Sequence, residues 1–156
     1  MRALPLLVCI LAQAAEAPRF DQFPSGPIFR GTPAPARPRT RAQLLYRTMI
    51  RDGAKQGPNF AGHLTVVQWG CGTGCIAIAM VDAKNGELYK LPFDSLMLDA
   101  DSAVEAEPLS FRLDSGLLIV NACVDGEKCG TSYYEWTGTT LKLLLSKPAK
   151  LVPPRK

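Results

Sequence analysis

His63 is the only histidine of this chain, and it is the residue best suited to acid–base chemistry at neutral pH. An imidazole titrates near neutrality and can act as a general base. A small hydrolase that uses His63 would also need a nucleophile and a carboxylate to orient the ring, and the sequence has no G-x-S-x-G motif. The alternative is a hydrogen-bonded histidine at the edge of a strand, and the missing nucleophile favours it.

The chain has five cysteines, of which Cys9 lies in a predicted leader described below; the other four form the second group of reactive residues: Cys71, Cys75, Cys123 and Cys129. An even number of cysteines in an exported chain indicates disulfides, and four cysteines allow three pairings. Turn residues lie within the spans CGTGC and CVDGEKC, which favours the local pairs 71–75 and 123–129. We therefore predict two structural disulfides and no metal or cofactor.

Two other roles for the cysteines remain open. A thiol-redox pair of Cys71 and Cys75 would have three residues between the cysteines, whereas redox motifs usually have two and begin at a helix N-terminus. A zinc site would need all four thiols reduced and convergent, which export disfavours.

Polar and aromatic side chains near two predicted strands could bind a ligand. Tyr133, Tyr134 and Glu135 form an aromatic and acidic cluster that suits a sugar or a peptide. Asn59 and His63 lie in a glycine-rich turn before the first strand, which carries Trp69. Such turns often hold binding groups over a rigid scaffold. The tentative binding residues are Asn59, His63, Trp69, Tyr133, Tyr134 and Glu135. The alternative is that they are ordinary core, surface and turn residues.

The first residues are typical of a secretory signal peptide. One arginine precedes an apolar run from Ala3 to Ala12, and small residues follow it. We predict a leader over 1–14, with an alternative cut after Ala17. Its removal takes away Cys9 and places the protein in the periplasm or outside the cell. No apolar run reaches about 18 residues, so no transmembrane span is predicted.

The next segment, 15–39, is a proline-rich basic arm. Six prolines between 18 and 39 favour an extended chain. The net charge of the protein is +4, and eight basic residues against two acidic ones lie between Arg19 and Lys55. This asymmetry suits contact of the arm with an anionic surface of the cell envelope, although a solvated linker explains it too. No nucleic-acid-binding motif is present.

The remaining chain reads as one disulfide-stapled domain over 40–147, followed by a basic tail over 148–156. Thr40 and Gln43 have capping-box spacing, and the apolar spacing predicts a helix over 41–53 that buries Ala42, Leu45, Tyr46, Met49 and Ile50. Strands over 64–69 and 76–81 form a hairpin in which Trp69 faces Ala77. Because both faces of this hairpin are apolar, both strands are expected to be central.

Hairpin signals continue to the end of the domain, with a longer acidic loop over 92–107. An apolar content of 47% and a charged content of 21% are those of a globular protein. The predicted fold class is α+β: a mostly antiparallel meander or half-open barrel of about seven strands with one N-terminal amphipathic helix.

Two motifs, Gly57–His63 (GPNFAGH) and Trp69–Cys75 (WGCGTGC), resemble those of an uncharacterised family of small exported bacterial proteins. A V-D-x-K-x-G turn at Val81–Gly86 and a late strand at Cys129–Trp136 are also similar. Gly74 departs from the family pattern, which has a polar residue there. The resemblance implies export and a disulfide-stapled β domain, without an activity.

These observations favour a non-catalytic binding module over an enzyme. Its expected partner is an envelope protein or glycan, and an inhibitor-like role is one form that such binding takes. The hydrolase using His63 and the thiol-redox protein using Cys71 and Cys75 are the alternatives.

Overall fold

The computed structural model describes residues 16–98 and 107–149. The predicted leader over 1–14, the end of the acidic loop and nearly all of the basic tail lie outside the described residues. The described chain is α+β and mostly antiparallel sheet, as predicted. Within these two ranges, no helix has the length and apolar character needed to cross a membrane.

The predicted helix is present but interrupted. A 3-10 turn at Phe20–Gln22 precedes α1 (Arg41–Leu45) and α2 (Arg47–Ala54). The capping box forms as predicted, because Thr40 Oγ1 accepts from the Gln43 N–H at 3.2 Å and Gln43 Oε1 accepts from the Thr40 N–H at 3.1 Å.

The helix breaks at Tyr46, whose φ of −105° and ψ of 20° are not helical. Its ring lies 5.2 Å from that of Trp69, and Ile50 and Ala54 pack on the sheet beside it. The predicted buried face is wrong for Ala42, Leu45 and Met49, which are all exposed, Leu45 by 74% and Met49 by 55%. The break and the Tyr46 contact decide which face is buried.

Eight strands of the described residues form one antiparallel sheet in the order β1-β2-β4-β6-β7-β8, with β3 beside β2 and β5 beside β6. Their bounds are β1 Leu64–Gly72, β2 Cys75–Asp82, β3 Leu88–Tyr89, β4 Leu96–Met97, β5 Leu109–Phe111, β6 Leu117–Val124, β7 Lys128–Trp136 and β8 Leu141–Pro148. The short β4 lies in the segment predicted as a loop. It joins the two long hairpins.

The first hairpin has the predicted register, with Trp69 opposite Ala77 and Val67 opposite Ala79. The expectation that both strands are central is wrong for β1, which is the edge of the sheet. The start of its free edge is covered by the preceding turn, where the Asn59 and Phe60 N–H groups donate to Leu64 O at 2.9 Å. Covering an edge prevents pairing with other chains.

Each face of this hairpin packs against its own core. On one face Val66 and Met80 join Leu118 and Tyr134 from the second half of the sheet, so the sheet curls around a large core. On the other face Val67, Ala79 and Val81 pack against Ile50 and Ala54 of α2.

Both disulfides form between the predicted partners, Cys71–Cys75 and Cys123–Cys129. In the sheet Cys75 pairs with Met97, and Met97 pairs with Cys123. Two strand spacings of about 4.8 Å therefore separate the two disulfides. Bridged cysteines need Cα atoms within about 7 Å, so the fold allows only the local pairing.

The arm is extended and docked on the domain. Its backbone N–H groups donate to carbonyls of three turns at 2.8–2.9 Å: Ser25 to Asp114, Phe29 to Gly62, Ala34 to Ala83 and Arg37 to Gly86. Gly86 has a φ of +77°, and a Cβ there would overlap Pro35 O. The arm therefore belongs to the folded domain, which begins before residue 40.

Candidate functional site

An aromatic cleft lies between the helices and the β2–β3 side of the sheet. Its volume is about 540 Å³, within the range of about 300–1,000 Å³ that small-molecule sites occupy. Four aromatic side chains line it, Tyr46, Trp69, Tyr89 and Phe93, together with aliphatic residues of β2 and β3. We call this the aromatic cleft.

Small residues and the helix break create this space. Ala77 and Ala79 line the cleft opposite Trp69 and Val67 on β1. An alanine leaves room above the sheet that a longer side chain would fill. Tyr46, at the break between α1 and α2, forms the wall on the helix side.

Trp69, one of the lining residues, has an unusual polar group in its indole N–H. Nε1 is buried, and it has no hydrogen-bond partner among the described residues. An unsatisfied buried donor costs about 1–3 kcal/mol, so native structures rarely keep one without a reason. A ligand acceptor that reaches this indole after a small side-chain shift would recover that energy.

Few charges border the cleft. Lys90 and Asp94 line it and are exposed, with Thr40 and Gln43 as the uncharged polar residues. Tyr89 turns its hydroxyl to Asp82, donating to Oδ2 at 3.3 Å. Burial, followed by the negative charge of Asp82, raises the pKa of Tyr89 above its ordinary value of 10.0. Tyr89 therefore contributes a neutral ring to the cleft.

His63 lies beside a buried carboxylate. Its Nε2 is 3.8 Å from Oδ2 of Asp82, and Nδ1 is 3.2 Å from Ala61 O. Asp82 is 4% exposed, and its Oδ1 accepts from the Lys84 N–H at 2.8 Å. This carboxylate could orient the ring, but no Ser, Thr or Cys of the described residues forms a hydrogen bond with His63.

The side-chain amide of Asn59 forms hydrogen bonds with the protein backbone. Both groups of its amide bond to Val66 at the free edge of β1. The backbone around it is unusual, as the sequence predicts, because Gly57 and Gly62 have φ values of +87° and +80°.

The other tentative binding residues are divided between the two sides of β7. Tyr134 is buried against Phe93, with ring centroids 5.5 Å apart, and burial raises its pKa above 10.0. Tyr133 and Glu135 are half-buried on the opposite side of the strand. None of the three lines the aromatic cleft, so the structure does not gather the tentative residues into one site.

Sequence reasoning found Trp69 but missed Tyr46, Tyr89 and Phe93 as its neighbours in the cleft. The pairing of large Trp69 with small Ala77 was the available signal, because it indicates unfilled volume on that face of the hairpin.

The described residues hold no cluster of three or more His, Cys, Asp or Glu side chains that could bind a metal ion. The four cysteines are bonded in pairs, so they offer no thiolates to zinc. The disulfide of Cys71 and Cys75 lies at the tip of the β1–β2 hairpin.

The chain matches no protein family, no curated protein and no solved structure.

Proposed function

We propose that this protein is an exported, non-catalytic binding module and that its ligand occupies the aromatic cleft. The observation that carries the proposal is the buried, unpartnered Nε1 of Trp69 in the wall of a cleft lined by four aromatic rings. Apolar walls with a small number of polar groups are typical of binding pockets.

The ligand that fits best is an apolar segment of an envelope protein. A peptide supplies both components: large apolar side chains for the aromatic walls and backbone carbonyls as acceptors for the indole N–H. A glycan needs many hydrogen bonds, whereas the lining has few polar side chains, chiefly Thr40, Gln43, Lys90 and Asp94. The cleft therefore favours the protein partner over the glycan.

The surroundings of His63 support binding rather than hydrolysis. Nδ1 faces Ala61 O and Nε2 faces Asp82, so neither ring nitrogen is directed at a nucleophile among the described residues. The position of Cys71 and Cys75 at a hairpin tip, away from any described helix N-terminus, favours a staple over a redox pair.

Export has two supports. The leader pattern of residues 1–14 is one, and the two disulfides are the other, because disulfides persist in oxidising compartments. A periplasmic or secreted location accounts for both.

The test is a titration of the ¹⁵N-labelled protein with acetyl-Leu-Phe-Leu-amide, followed through the two tryptophan indole N–H signals. We expect a saturable downfield shift for the Trp69 signal, since hydrogen bonding deshields the proton. The Trp136 signal is the internal comparison: Trp136 does not line the cleft, but its ring lies 4.7 Å from that of Tyr89, so a smaller shift than that of Trp69 is expected. Acetyl-Ser-Gly-Ser-amide and chitotriose are the comparison ligands.

Ala77→Leu fills the cleft, and Leu143→Ala, on exposed β8, is its control. We expect Ala77→Leu to weaken binding at least tenfold while the melting temperature is maintained, and Leu143→Ala to bind like the parent. Equal binding of acetyl-Ser-Gly-Ser-amide, tighter binding of chitotriose, or an unaffected Ala77→Leu variant would each contradict the proposal.

A further inference from the structure

The outward side of the two helices carries three large apolar side chains. Leu44, Leu45 and Met49 are 43%, 74% and 55% exposed. The other large exposed apolar residues of the described chain are scattered: Ile28, Leu98 and Leu143. A contiguous apolar patch on a surface marks an interaction site, whereas isolated apolar residues need no explanation.

The helices that carry this patch are rich in basic residues, and Arg41 and Arg47 border it. The segment 41–55 contains Arg41, Arg47, Arg51 and Lys55 but only one carboxylate, Asp52, which is bonded to Lys55 Nζ at 2.7 Å. The guanidinium groups of Arg41 and Arg51 form no side-chain hydrogen bond or ion pair with the described residues. We call the patch and its arginines the helical face: Arg41, Leu44, Leu45, Arg47, Met49 and Arg51.

We propose that the helical face docks onto a bilayer surface rich in anionic phospholipid. Interfacial helices place apolar side chains at the boundary of the acyl chains, and their basic residues attract anionic headgroups. Both components occur on these two helices. The inference rests on their outward side and is independent of a ligand in the aromatic cleft.

An anionic lipid surface accounts for both the apolar and the basic side chains of the helical face, whereas other anionic partners account only for the basic ones. A cell-wall polymer or an acidic protein surface would neutralise the arginines but would provide no apolar medium for Leu45, which is 74% exposed. Arg41, Leu44, Leu45 and Arg47 border one shallow depression, where a headgroup phosphate and the start of an acyl chain would each meet a matching side chain.

The experiment measures partition into vesicles of equal parts phosphatidylglycerol and phosphatidylcholine, and into vesicles of phosphatidylcholine alone. The protein is used in the form that cells accumulate, with its N-terminus recorded by intact mass, and every variant is compared in that form. We expect binding to the anionic vesicles to be much tighter and to weaken at high salt.

Two pairs of variants locate the contact. Leu45→Ser with Met49→Ser should lower the partition constant at least tenfold, and the matched control is Leu143→Ser on β8. Arg41→Gln with Arg51→Gln should lower it about fivefold for each arginine. Lys142→Gln with Lys147→Gln removes the same charge from β8 and should change it little.

All the substituted side chains are exposed, so the variants should fold, and thermal melts check this. The proposal is overturned if the parent protein binds both kinds of vesicle equally. It is also overturned if the β8 controls lose as much binding as the helical variants. Binding to soluble polyglutamate as tight as binding to vesicles would identify an acidic protein as the partner instead.

Discussion

The side-chain amide of Asn59 pairs with the backbone of Val66 through two hydrogen bonds. Oδ1 accepts from the Val66 N–H at 2.7 Å, and Nδ2 donates to Val66 O at 3.1 Å. An amide side chain thus takes the place of a neighbouring strand at the open edge of β1. Asn59 has a stabilising role in the fold, while a direct contact with a ligand stays a prediction.

Asn59→Ala should reduce the free energy of unfolding by about 1–3 kcal/mol, because the Val66 N–H, in a buried residue, loses its acceptor. Urea unfolding measures this change. Asn59→Asp is the matched control: it keeps the acceptor but places a carboxylate near Val66 O, so an intermediate loss is expected. A change within about 0.5 kcal/mol for Asn59→Ala would contradict the edge role.

Gly86→Ala should loosen the arm. The positive φ disfavours alanine by about 1–2 kcal/mol, and its Cβ would overlap Pro35 O of the arm. Gly126→Ala is the control, since Gly126 has a φ of +74° with nothing within 4 Å of its Cβ position. Trypsin cleavage after Arg39 should accelerate in the first variant and stay near the parent rate in the second. Equal rates would mean that the Pro35 contact does not hold the arm.

Alkaline conditions should weaken the fold through Tyr89 and Tyr134. Burial is the main cause that raises both pKa values above 10.0. The folded state therefore holds the neutral phenols, and their contribution is complete below about pH 10 and lost as the pH rises through the raised values.

Tyr89→Phe should reduce the fall in melting temperature between about pH 9 and pH 12. Asp82→Asn should lower the pKa of Tyr89, because it removes the negative charge that helps to raise it. Tyrosinate absorbance follows the titration. A Tyr89→Phe variant with the same alkaline fall as the parent would contradict this prediction.

The two disulfides should differ in their effect on stability. Each disulfide closes a small loop, and the reduced entropy of the unfolded chain should stabilise the fold by about 2 kcal/mol for each. Cys123 is 6% exposed in the core, whereas Cys71 and Cys75 lie at a more exposed hairpin tip. Cys71→Ala with Cys75→Ala should cost about 2 kcal/mol, and Cys123→Ala with Cys129→Ala more. A non-reducing peptide map that shows a link between 71 and 123 would refute the local pairing.

The leader should be absent from the exported protein. Its intact mass should correspond to a chain that begins at Ala15, or at Pro18 if the alternative cut is used. An accumulated form that retains Cys9 would contradict export and remove the main argument for a periplasmic or secreted location.

Local patterns predicted the hairpins well. The β1–β2 register follows from pairing Cys71 with Cys75, and the two disulfides follow from the turn residues within CGTGC and CVDGEKC; the register and both disulfides are confirmed. These features depend on residues close together in the sequence. At the break, Tyr46 contacts Trp69, which is 23 positions later in the sequence, and helical periodicity, which reads only near neighbours, placed Ala42, Leu45 and Met49 in the core wrongly.

Local sequence patterns could not predict the aromatic cleft for the same reason. Its walls come from α1, α2, β1, β2 and the chain around β3, and only the assembled sheet brings them together. The sequence also did not predict that β1 is an edge strand. Both faces of β1 are covered, and the pattern of apolar residues indicates which faces of a strand are buried but not whether it has a neighbouring strand on each side.

The first part of the arm is synthesised well before the turn that it binds in the folded domain. Ser115 Oγ lies 2.8 Å from Phe20 O and 3.0 Å from Phe23 O, so its one hydroxyl hydrogen is shared between two acceptors up to 95 positions away in the sequence. A ribosome that adds about 5–20 residues each second needs about 5–20 s to make the chain between Phe20 and Ser115. During this interval the first part of the arm lacks the turn at Ser115 that it binds, and Phe20 and Phe23 remain accessible to chaperones and proteases. The first segment of the domain to be made is thus among the last to be protected.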